Sequence, residues 1–92
     1  MKLFKNADKK LAQIGFVKRE ENEYGATYHR AHKGYVQTLD LCHKANGKHL
    51  IMSYDAALGD AKGIGHTMVG LTMYEANLCV AKMKEMGWRI VK

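Results

Sequence analysis

ATYHRAHKGYVQTLDLCHKANGKHLIMSYD, residues 26–55, alternates apolar and polar side chains with a period of two and is interrupted at Lys33–Gly34 and Asn46–Gly47. Such alternation marks strands with one buried face, and glycine-containing pairs between the runs mark hairpin turns. A two-residue turn at Lys33–Gly34 pairs Tyr28 with Leu39 and Ala26 with Leu41. The same reading of Asn46–Gly47 pairs His43 with Leu50, Leu41 with Met52 and Leu39 with Tyr54. Both turns gather large apolar residues on one face, so they support each other. The other face then carries Thr27, His29, Ala31, Val36, Thr38, Asp40, Cys42, His49, Ile51, Ser53 and Asp55, and is expected to be open to solvent or a partner.

Upstream, a turn signal at Asn22–Gly25 adds a first strand, giving four antiparallel strands from Val17 to Asp55. Leu3, Ala7, Leu11 and Ile14 recur at helical spacing before these strands, and Gly15 stops that helix with Phe16 packing back on it. Downstream, Thr72 and Glu75 form a capping box and Gly87 a stop, which predicts a helix over 73–86. Its core stripe is Met73, Ala76, Cys79, Val80, Met83 and Met86. A second stripe, Tyr74, Leu78 and Ala81, either packs beside the first helix or contacts a partner. The fold class is therefore α+β: two layers, a four-stranded antiparallel meander with an N-terminal and a C-terminal helix on one face. Residues 1–92 suffice for a single domain with a small core.

Fifteen Lys and Arg against nine Asp and Glu give a net charge of +6, which favours acidic partners. The charge is interleaved with Glu20, Glu21 and Glu23, so a basic surface has to be assembled by folding. Cys42 and Cys79 are far apart and there is no signal-like apolar run, which points to reduced thiols in an intracellular, cytoplasmic protein. No stretch approaches the roughly 20 apolar residues of a membrane span.

No catalytic or cofactor motif is complete. GDAKGIGHTMVGLTMYE, residues 59–75, is rich in glycine but lacks the G-x-x-x-x-G-K-[ST] of a phosphate loop. Lys62, His66 and the loop from Gly59 to Gly70 stand as an anion-binding candidate beside the plainer reading of a connection. His29, His32, His43, His49 and His66 show no zinc-ligand spacing. Asp60-Ala-Lys62 matches the D-x-K element of metal-dependent nucleases only in letters, because it falls in a glycine-rich loop instead of a strand. Cys42, His29 and Asp40 share a face without a spacing that brings the imidazole to the thiol. No enzyme activity, metal or cofactor is therefore expected.

GFVKREENEYGATYHR, residues 15–30, and HTMVGLTMYEANLCVAKMKEMGW, residues 66–88, resemble small uncharacterised proteins of phages and prophages of Gram-positive bacteria. Those proteins share a short helix, a G-F-x-K strand, an E-N-E-Y-G turn and a final helix ending in M-G-W. The resemblance implies a setting in which small accessory proteins bind a host protein or a protein–nucleic acid complex, for instance as counter-defence inhibitors. The expected partner-binding residues are His29, Val36, Thr38, Asp40, Ile51, Tyr74 and Leu78, for such a partner or for a second copy of the chain. The alternative is direct binding of nucleic acid or a nucleotide through Arg30, Lys33, Lys44, Lys48, Lys62 and His66.

Overall fold

A computed structural model describes residues 6–55 and 67–91. The elements run α1 (Ala7–Gln13), β1 (Val17–Asn22), β2 (Gly25–His32), β3 (Tyr35–Cys42), β4 (Leu50–Asp55), β5 (Thr67–Met68) and α2 (Met73–Glu85). The strands form one antiparallel sheet in the order β1-β2-β3-β4-β5. Leu11, Phe16, Leu78, Cys79 and Met83 pack on Ala26, Tyr28, Leu39 and Leu41, so both helices cover one sheet face. The expected meander is present, and a two-residue β5 extends it beyond the four strands expected.

The pairing of β2 with β3 is the one read from the Lys33–Gly34 turn, with Tyr28 opposite Leu39 and Ala26 opposite Leu41. The pairing of β3 with β4 differs by one residue: Leu39 faces Ser53, Leu41 faces Ile51 and Cys42 faces Leu50. A one-residue slip reverses every side chain of a strand. Ile51 and Ser53 therefore lie on the helix side, while Leu50, Met52 and Tyr54 lie on the open side. The cause is the connection between β3 and β4. Lys44 to Gly47 forms a turn closed by the Gly47 N–H donating to the Lys44 carbonyl at 2.9 Å, and Gly47 takes φ +80°. Residues 43–49 thus form an odd-length loop in place of a two-residue hairpin.

Both helix stops behave as the sequence indicates. The Phe16 N–H donates to the Leu11 carbonyl and the Gly15 N–H to the Ala12 carbonyl, and the same pair of bonds recurs from Trp88 to Met83 and from Gly87 to Lys84. The capping box of α2 is complete, with Glu75 N–H donating to Thr72 Oγ1 and Thr72 N–H to Glu75 Oε1.

The buried stripe of α2 is rotated from the expected one. Glu75, Leu78, Cys79, Lys82 and Met83 are buried, whereas Met73 is exposed. Two charged side chains enter the interface because each meets a counter-charge there. Glu75 accepts from Arg30 Nη1 at 2.7 Å, and Arg30 also donates to Gln37 Oε1 and the Ile14 carbonyl while lying 4.1 Å over the Phe16 ring. Lys82 and Lys18 each bridge Asp8 and Glu21, tying α1, β1 and α2 into a ring of four alternating charges. Tyr28 completes it by donating to Asp8 from the core. Burial pushes the Asp8 pKa up, but hydrogen bonds from Tyr28, Lys18 and Lys82 outweigh it and hold the carboxyl below its ordinary value. Hydrogen bonds from Lys82 and Lys18 do the same for Glu21.

Candidate functional site

Among the described residues, only β5 and the residue after it pair with the outer edge of β4. β5 pairs only with Tyr54 and Asp55, and the Val69 N–H then donates to the Ser53 carbonyl at 3.0 Å. In an antiparallel ladder the backbone groups of alternate residues point the same way. Since the Ser53 carbonyl points away from β3, Ile51 also directs its N–H and C=O away from β3. No described residue answers them. An apolar groove of about 280 Å³, lined by Ile51, Met52, Ser53, Tyr54 and Met68, runs along this edge.

The register places exposed apolar side chains beside that groove. Leu50 is 45 % exposed, Met52 42 % and Met68 87 %. In the middle of the same face, Asp40 is held by two hydroxyls, accepting from Thr27 Oγ1 and Tyr54 Oη. Exposed apolar side chains on one side of a fixed carboxylate form a surface able to dock a chain segment with both hydrophobic and directional contacts.

The residues expected to bind a partner separate into two groups. His29, Val36, Thr38 and Asp40 do share the open face, with His29 opposite Thr38, which is itself buried. Ile51 faces the helices and is half-buried against the core, because of the slip. Leu78 is 6 % exposed and belongs to the core, so the second helix stripe is taken up by packing; Tyr74 in that stripe is exposed. Leu50, Met52 and Met68 were not legible as surface residues, since the two-residue turn assigned Leu50 and Met52 to the interior.

The basic residues also divide. Arg30 is engaged by Glu75, Gln37 and the Ile14 carbonyl. Lys33 lies at the β2–β3 turn, whereas Lys44 and Lys48 lie at the opposite end of the eight-residue β3, roughly 25 Å away at about 3.3 Å per residue. The four do not make one patch. Lys62 and His66, like Leu3, Asp60 and the Gly59 end of the glycine-rich stretch, lie outside the described residues. Cys42 stands two residues from Asp40 on β3, but burial and the Asp40 charge push its thiol pKa up, away from a reactive thiolate. Among the described residues no group of three or more His, Cys, Asp or Glu is placed to hold a metal ion.

The fold defines a two-layer α+β domain with a five-stranded antiparallel sheet. Compared with protein-family models, curated proteins and solved structures, the chain matches none. No helix among the described residues is long and apolar enough to cross a membrane.

Proposed function

We propose that this chain is a small non-catalytic binding protein that inhibits or regulates a host protein, or a host protein–nucleic acid complex, by adding an extended segment of that protein to the β4 edge. The observation that carries the reading is the outward Ile51 backbone beside exposed Leu50 and Met52. Main-chain pairing at an open edge supplies affinity, and pockets for alternate side chains supply selectivity. At Ile51 no described residue pairs with this edge, and unpaired strand backbone flanked by apolar side chains is a ready template for pairing with another chain. The likeness of residues 15–30 and 66–88 to phage and prophage proteins supports a bacterial host cytoplasm as the setting and a counter-defence role as the class of activity.

The test is capture from a nuclease-treated lysate of a Gram-positive host, using the tagged protein and its Met52→Glu variant. Met52 is exposed, so the substitution should leave the melting temperature within a few degrees while placing a charge in the groove. A protein retained by the wild type and lost from the variant is the expected result. Equal retention by both would remove the β4 edge from the account.

A further inference from the structure

A second surface feature lies at the end of the sheet where β3 runs into β4. His43, His49 and Trp88 form a triangle of rings with centroids 4.8–5.0 Å apart. His49 is fixed on both sides: its Nδ1 accepts from the Lys44 N–H at 2.9 Å, which leaves the ring proton on Nε2 to be donated to the Arg89 carbonyl at 2.8 Å. The Val91 N–H donates to the Gly47 carbonyl, and a side chain at Gly47 would collide with Val91. The loop 43–49 and the segment after α2 are thus joined into one ordered surface. His43, Lys44, Lys48 and Arg89 are exposed on it, while Trp88 is half-buried.

Among the described residues no carboxylate pairs with Lys44, Lys48 or the Arg89 guanidinium. Asp8 and Glu21, which line the hollow beneath Trp88, are engaged by Lys18 and Lys82, and Glu85 accepts from the Asn6 and Ala7 N–H groups. Glu23 in the same hollow is the carboxylate without a described partner.

From this juxtaposition of an aromatic triangle anchored at His49 with three cations that no described carboxylate pairs, we infer that the His43–Trp88 end binds single-stranded nucleic acid. Bases stack on aromatic faces whatever their sequence, and Lys and Arg neutralise the backbone. Duplex is disfavoured, because its bases are already stacked and leave the rings without a partner. This surface is separate from the β4 edge, so either proposal stands or falls without the other.

The probe is a fluorescein-labelled single-stranded dT12 oligonucleotide, read by anisotropy and by quenching of Trp88, the chain's single tryptophan. Binding should quench Trp88 and weaken with salt, with a log–log slope of about −2 for three phosphates neutralised on a single strand. Lys44→Ala combined with Lys48→Ala should weaken binding at least about tenfold and cut the slope to about −0.7. His43→Ala should weaken it by about five-fold or more, the loss of one stacked base. Lys33→Ala at the far end should leave the affinity unchanged. Glu23→Lys should tighten it. Absence of binding at low salt, an equal loss in Lys33→Ala, or duplex bound as tightly as dT12 without quenching would each overturn the inference.

Discussion

Glu75→Ala is expected to destabilise the fold by about 3 kcal/mol or more at neutral pH, because it leaves the largely buried Arg30 guanidinium without its counter-charge. The same change removes the half of the capping box in which Glu75 Oε1 accepts from the Thr72 N–H, while Thr72 Oγ1 still accepts from the backbone N–H at position 75. At about 4–8 °C per kcal/mol for a domain of this size, the melting temperature should fall by at least about 12 °C. Urea denaturation of Glu75→Ala beside Arg30→Met with Glu75→Leu separates the causes. The apolar pair should recover part of the loss, since it leaves no buried charge unmatched.

The effect should also depend on pH in a fixed direction. Burial raises the Glu75 pKa, but the Thr72 N–H and Arg30 overcome it and hold the group below the ordinary glutamate value. A carboxyl depressed on folding adds stability above its unfolded pKa and loses it as pH falls through the folded one. The gap between wild type and Glu75→Ala should therefore be constant above about pH 5 and close as the pH drops below 4.5. A destabilisation under about 1 kcal/mol at neutral pH would show that the Arg30–Glu75 pair is not the bolt between sheet and helix described above.

Gly25→Ala should be at least as damaging. Gly25 opens β2 at φ +157°, and a Cβ there would stand 2.1 Å from the Leu41 carbonyl oxygen. That oxygen belongs to the backbone of the central strand, so relief requires β2 and β3 to separate. Gly34 supplies the control: its φ is +93°, yet a Cβ would meet nothing within 4 Å. Gly34→Ala should cost about 1–2 kcal/mol of backbone strain alone, and Gly25→Ala about 3 kcal/mol or more. Equal losses in equilibrium unfolding would contradict the close approach.

What was legible in the sequence is what local chemistry determines. The turns at Asn22–Gly25 and Lys33–Gly34, the glycine stops at 15 and 87 and the Thr72–Glu75 box each act within a few residues, and each is found in place. The register of β4 was not legible, because the loop before it is set from far along the chain. His49 is anchored by the carbonyl of Arg89, 40 residues away, and Gly47 by Val91. An Asn-Gly pair indicates a turn, but these remote bonds set the loop at odd length and reverse the strand. The helix stripe failed for a related reason. Apolar periodicity counts Glu75 and Lys82 as surface residues, and only the folded partners Arg30, Asp8 and Glu21 make their burial favourable. The partner face follows from the same slip: Ile51 moves inward, and Leu50 and Met52 come to the surface in its place.

Amide hydrogen exchange at Ile51, measured in the free protein and in complex with the captured host protein, tests the central claim most directly. The Ile51 N–H points away from β3 and has no described partner, so it should exchange rapidly in the free protein. The amides of Met52 and Leu50, which point into the sheet, should be protected by comparison. Strand addition predicts that Ile51 becomes strongly protected in the complex while Lys33 at the distant turn is unchanged. An Ile51 amide that exchanges equally fast in both states would contradict docking on the β4 edge.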